Sequence, residues 1–227
     1  MRTLTYRDTS VHHGDTRPSA RGLIEMLAVM AATILPILIW PSAKAVLALL
    51  PIAYVLVERR VRGRTWAELG LTGRGFKRAL VTNWPLVVLV AVVIQIAVLG
   101  IARLWWPAFG AHVQARIPLL DAGQLTTLLV LLPLALLGEE LTYRSLVQGR
   151  LNWFVPQAVA IGGASVIFAA MHISAGAPAI VLADVALVGL DSMIYGVIFA
   201  RTQNLWIAWL AHLLADVIGV GVIVLLW

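Results

Sequence analysis

The last stretch of the chain reads LWIAWLAHLLADVIGVGVIVLLW over residues 205–227. An α-helix needs about 20 predominantly apolar residues to cross the roughly 30 Å hydrocarbon layer of a bilayer. This run is long enough, and its only ionisable side chains are His212 and Asp216. Such groups cost about 2.5–3.5 kcal/mol each at mid-span on insertion scales, so a span that keeps two of them needs a reason.

Comparable apolar runs lie upstream near residues 23–40, 41–57, 80–102, 124–148, 156–174 and 177–200, the second being the weakest because it is short and carries Lys44. It is placed to form a tight hairpin with the first. The composition agrees. Of 227 residues, 61% are apolar and 12% charged, about half the charge of an average soluble domain. That excludes a soluble globular enzyme, a disordered tail and a nucleic-acid domain. With no cysteine in the chain, disulfides, a thiol nucleophile and Cys-based zinc sites are excluded too.

These runs predict an all-α polytopic membrane bundle of about seven transmembrane helices with a cytoplasmic N-terminus. Under that topology, of the 17 lysines and arginines only Lys44, Arg103 and Arg116 fall outside, the asymmetry expected of cytoplasmic loops. Trp40, Trp84, Trp105, Trp106, Trp153, Trp206 and Trp227 sit at or near segment ends, where indole rings settle at the lipid boundary. The basic start, apolar run and Ala43-Lys44-Ala45 share the outline of a cleavable leader, but the run is long for one. Residues 1–20, with His12 and His13, read as a flexible cytoplasmic tail, and 21–227 as one transmembrane domain with its catalytic core at 124–220. Arg59 to Arg64, in the polar stretch 58–78, are placed to lie against anionic headgroups.

The ionisable residues inside the spans are Glu25, Glu139, Glu140, Arg144, His172, Asp184, Asp191, His212 and Asp216. Glu140 and Arg144 are four apart and share a helix face. Glu139 is rotated by about 100° from Glu140, so one carboxylate can hold the arginine while the other faces a cavity. Phe168 and His172 are one turn apart, an aromatic wall beneath an imidazole. His212 and Asp216 repeat the spacing, so the carboxylate can orient the ring or share a ligand with it. A free carboxylate in a low-dielectric bundle is a general-base candidate for activating water, and the histidines can stabilise an oxyanion or hold a metal. Spacing alone also fits polar side chains that merely glue helices together.

Glu-Glu-x-x-x-Arg at 139–144, Phe-x-x-x-His at 168–172 and His-x-x-x-Asp at 212–216, in that order, resemble the CPBP family of intramembrane peptidases, the CAAX-protease and bacteriocin-processing or Abi proteins. Residues 196–206, Gly-Val-Ile-Phe-Ala-Arg-Thr-Gln-Asn-Leu-Trp, resemble the same family's run before its last histidine. The resemblance covers about 124–220 and implies an intramembrane endopeptidase acting on membrane-associated or lipid-modified proteins. It implies Glu139 as the water-activating base with His172 beside it, His212 and Asp216 at the oxyanion positions, and Arg144 as an organiser paired with Glu140, with Phe168 in support. Asp216 stands where the best-studied eukaryotic relatives have Asn, and a carboxylate is a poor oxyanion donor unless protonated, so orienting His212 is its other reading. Ser145 stands where the family often has Gly.

The resemblance leaves metal dependence open. The metal-free glutamate mechanism is the expectation, with no cofactor. Glu139, His172, His212 and Asp216 are the set that would hold zinc, although no His-Glu-x-x-His occurs. A non-catalytic scaffold or bacteriocin-immunity-like protein of the same fold is the competing reading, and an ion transporter a third, without an inverted repeat behind it. The expected partners are the lipid bilayer and a membrane protein or lipid-modified peptide, with no nucleic acid. A bacterial inner membrane is the expected location.

Three lesser expectations follow. Asp191 is placed to reach Arg144, Glu25 to snorkel at the cytoplasmic end of its span, and His112 to be an ordinary surface histidine of an external loop. Depth presents a conflict. At about 1.5 Å per residue, Glu139 lies roughly 15 Å and His212 roughly 10 Å from the cytoplasmic ends of their helices, but His172 roughly 24 Å. Convergence requires a protruding connection at 150–157, or a tilt or bend such as Gly162-Gly163 would allow.

Overall fold

The computed structural model describes residues 18–116 and 122–227, the side chains of 122–129 excepted. The predicted tail, with His12 and His13, lies outside the described residues apart from 18–20. The described residues are almost wholly helical, with no strand among them. Five helices are long and apolar enough to cross a membrane: α1 (Ala20–Ile39), α2 (Pro41–Val61), α3 (Phe76–Trp105), α7 (Pro178–Thr202) and α8 (Leu205–Leu226). Between α3 and α7 lie the short α4 (Pro107–Arg116), the long α5 (122–151) and α6 (Gln157–Ala170).

The outer surface is inverted relative to a soluble protein: Leu104 is 71% and Leu225 84% exposed, whereas Glu140 and Arg144 are fully buried. Apolar side chains facing outward around the bundle are what lipid selects, and polar groups must then be satisfied inside. With the apolar helices, this is an integral membrane protein. Trp40, Trp105 and Trp106 are exposed near helix ends, as an interfacial belt requires.

Helices α1 and α2 form the expected tight hairpin, separated only by Trp40, whose N–H donates to the Pro36 carbonyl. Ser19 caps α1, accepting from the N–H of Gly22 at 3.0 Å. The weak second segment is therefore longer than its apolar run. The fifth is shorter than expected: helix stops at Ala170, and α6 has 14 residues, about 21 Å at 1.5 Å each and too little to span alone. It also continues unbroken through Gly162 and Gly163.

Two of the arginines expected at the headgroups, Arg62 and Arg64, turn inward to a buried acid. Arg62, Arg64 and Arg150 all converge on the buried carboxylate of Glu58, and Arg62 also pairs with Glu25. Glu25 thus has Arg21, Arg62 and Tyr54 as partners instead of snorkelling. The stretch beyond is fastened to the α7–α8 corner, because Gly70 accepts from the N–H of Leu205 at 2.8 Å and Thr72 from Asn204 Nδ2 at 2.9 Å. Gly70 has φ 84°, and a Cβ there would stand 2.8 Å from Phe199, so glycine is required twice over.

Helix α8 is central, packing against α3, α5 and α7. Its buried face carries Ala208, Ala211 and Ala215, small residues that let helix backbones approach closely. The one large polar group on that face is His212.

Candidate active site

The α-helical hydrogen-bonding of α5 changes immediately after the two glutamates. Residues Leu141–Gln148 form a π-helical segment in which every residue except Ser145 is buried. Inserted π turns are uncommon and cluster at functional sites. Here the segment brings Thr142, Tyr143, Arg144 and Gln148 all to the interior. Thr142 Oγ1 donates back to the Gly138 carbonyl at 2.9 Å at its start.

Glu140 is the electrostatic centre. Its Oε2 accepts from Arg144 Nε at 3.1 Å and its Oε1 lies 2.9 Å from His212 Nδ1. Arg144 continues the network, donating from Nη2 to Ser192 Oγ at 2.8 Å, and Ser192 donates to Ser165 at 3.1 Å. Four helices are tied together by this chain of contacts. The guanidinium also lies 5.8 Å from the ring centroid of Phe168 and 5.9 Å from that of Tyr195, within cation–π reach.

Glu139 points elsewhere, as the helical rotation requires. Its side chain is 34% exposed and its Oε2 is 4.0 Å from His212 Nε2. Glu139 and His172 line one cavity of about 490 Å³ between the α1–α2 hairpin and α5–α6. Gly138 makes that closure possible, because a Cβ there would stand 2.4 Å from Ile52 Cδ1 of α2.

His172 lies just beyond the end of α6 and folds back onto it: Nδ1 is 2.8 Å from the Phe168 carbonyl oxygen, and the ring centroid is 4.5 Å from that of Phe168. His212 meets the same phenyl ring edge-on at 5.8 Å. The two imidazoles therefore flank one aromatic ring, although His172 lies beyond the far end of the 14-residue α6. On its other face His212 stacks on Tyr195 at 4.6 Å and 23°.

A carboxylate and a backbone carbonyl only accept hydrogen bonds. His212 therefore carries its Nδ1 hydrogen toward Glu140 and His172 toward Phe168. The Nε2 of His212 faces Glu139 on one side and Asp216 Oδ1, 3.9 Å away, on the other. Asp216 is too far for the orienting hydrogen bond envisaged from spacing; Glu140, from another helix, makes that bond. Asp216 instead lines a second cavity of about 280 Å³ with Asp191, Asp184 and Arg116.

Two further expectations fail. Asp191 does not pair with Arg144; it accepts from Gln95 Nε2 at 3.0 Å, and its neighbour Ser192 meets the arginine. His112 is no ordinary surface residue: it is inserted between Ser174 at 3.3 Å and Asp184 at 3.4 Å, and Asp184 also pairs with Arg116. Tyr143, Tyr195 and Ser192 also surround the site; in the sequence, single aromatics and serines in a span carry no signal. Lys44, noticed only as an awkward charge, lines the Glu139 cavity. Among the described residues no three histidine or acidic side chains are grouped as metal ligands.

The helix bundle thus buries a Glu–Arg–His network beside a half-open carboxylate. Residues 121–218, which include all of these motif residues, match the family described as type II CAAX prenyl endopeptidase Rce1-like. The match covers less than half of the chain, and residues 1–120 lie outside it. No curated protein and no solved structure matches the chain.

Proposed function

We propose that the protein is an intramembrane endopeptidase that hydrolyses peptide bonds of membrane-associated or lipid-modified proteins, with prenylated C-termini the first class to test. The observation that carries this reading is the shared cavity of Glu139 and His172, with His212 Nε2 4.0 Å from the Glu139 carboxylate. In this reading Glu139 removes a proton from water as the oxygen attacks the scissile carbonyl, and later delivers it to the leaving amine. With its Nδ1 hydrogen engaged by Phe168, neutral His172 offers the Nε2 lone pair to hold the water's other hydrogen. His212, when protonated, turns an Nε2–H toward the developing oxyanion. Glu140 fixes the His212 ring, and Arg144 fixes Glu140. Asp216 stands at the far side of His212 as an electrostatic neighbour, and as an oxyanion donor only in its protonated form.

No step in this reading uses a metal; zinc held by Glu139, His172, His212 and Asp216 is the alternative. The seven-crossing arrangement with the N-terminus in the cytoplasm, and a bacterial inner membrane, belong to the same proposal and draw on the placement of the arginines. The test is comparative terminal proteomics of membranes from cells carrying wild-type or Glu139→Gln protein. A peptide terminus present with the wild type and absent with the variant is expected. Identical termini, with equal amounts of both proteins in the membrane, would favour the non-catalytic scaffold.

A further inference from the structure

We propose that Lys44 is a specificity residue whose ammonium binds the free C-terminal carboxylate of the peptide presented to Glu139. The inference rests on the endopeptidase reading and adds to it the end of the substrate that is recognised. Lys44 lies in α2, outside the family segment 121–218, so nothing in the family match assigns it a role.

Among the described residues lining the Glu139–His172 cavity, Lys44 is the only cation. Its position is tied to the catalytic pair: Nζ donates to the carbonyl of Met171, the residue before His172. An ammonium has three hydrogens to donate, and that bond uses one. Apart from Ser42, the wall near it on the same helix is apolar, with Ala45, Ala48, Leu49 and Ile52. Lys44 is exposed at the α1–α2 turn and so open to an incoming ligand, and among the described residues no carboxylate is within ion-pair distance of it. An incoming carboxylate would supply the partner.

The same argument applies from the ligand's side. A peptide C-terminus entering this cavity brings a negative charge close to Glu139, a repulsion that only a nearby cation offsets. The space is suited to a chain end. About 490 Å³ lies in the range of small-ligand sites, and three extended residues reach about 10 Å. A short tail beyond the scissile bond fits, with its terminal carboxylate on Lys44.

The experiment uses the full chain as Glu139→Gln in lipid nanodiscs, which binds without turnover. The probes are two fluorescent S-farnesyl peptides, alike except that one ends in a free carboxylate and the other in an amide. The carboxylate form should bind about tenfold more tightly, the size of one charge-assisted contact. Adding Lys44→Gln, which keeps a donor for the Met171 carbonyl and removes the charge, should bring the ratio to about one, and Lys44→Arg should restore it. Equal binding of the two peptides before Lys44 is changed, no binding of either, or a preference that survives Lys44→Gln would each overturn the proposal. Because the readout needs no cleavage, its failure is distinct from a failure of the wild type to hydrolyse peptides.

Discussion

His212 Nδ1 and Glu140 Oε1, from helices 72 residues apart in sequence, stand 2.9 Å apart, and the other oxygen of the same carboxylate holds Arg144 at 3.1 Å. One fully buried acid thus satisfies an arginine on its own helix and sets the ring of a histidine on another. The adjacent glutamate is left facing a cavity with no cation bound to it at hydrogen-bond distance. Two neighbouring carboxylates acquire different tasks because a helix turns by about 100° between them.

Glu140→Gln should therefore damage the protein and not merely its chemistry. Removing one partner of a buried ion pair leaves the other charge uncompensated, at a cost of about 3–5 kcal/mol. Thermal unfolding in detergent should show a large drop, with loss of the folded form in the membrane.

Glu139→Gln should separate activity from stability. Its side chain is partly exposed in the cavity wall, so the change should cost less than about 1 kcal/mol. On the proposed role of Glu139 as general base, the change should lower kcat by about 10²–10⁴. Turnover of a quenched peptide, measured beside the melting curve, checks both.

Asp216→Asn should be tolerated, with kcat within about tenfold of wild type, because the amide keeps a polar group there and can donate to an oxyanion. His212→Ala should cost about 10²–10³, as loss of an oxyanion donor does. If Asp216→Asn were as harmful as His212→Ala, the carboxylate itself would be required and the present assignment of Asp216 would fail.

Gly138→Ala should force the Ile52 side chain to turn aside, since the new Cβ would meet its terminal Cδ1 at 2.4 Å. Because a terminal methyl can move without the helix, the cost should be about 1 kcal/mol, the low end for overpacking. Ile52→Val removes that one atom, so the double variant should recover most of the loss. Urea or thermal unfolding of the four proteins in a double-mutant cycle would read the coupling.

The pairings that lie within one helix were legible in the sequence. Glu140 with Arg144 and the divergence of Glu139 from Glu140 follow from 3.6 residues per turn, and hydrophobic length marked the five helices long and apolar enough to cross a membrane. The end of α6 at Ala170 was not legible, because the apolar run continues past it and only the fold-back of His172 onto Phe168 marks the change.

Pairings between helices depended on rotation and depth, which no local pattern encodes. Asp191 was within plausible reach of Arg144, yet α7 is turned so that Ser192 meets the arginine and Asp191 meets Gln95. Asp216 had the right spacing to orient His212, but a carboxylate from α5 is nearer. Sequence determined that this is an apolar helical protein carrying a small set of costly charges; tertiary structure decided which of those charges touch. The physical reason is range: the hydrophobic effect and helix periodicity act along the chain, whereas hydrogen bonds and ion pairs act over about 3 Å and wait on where each helix settles.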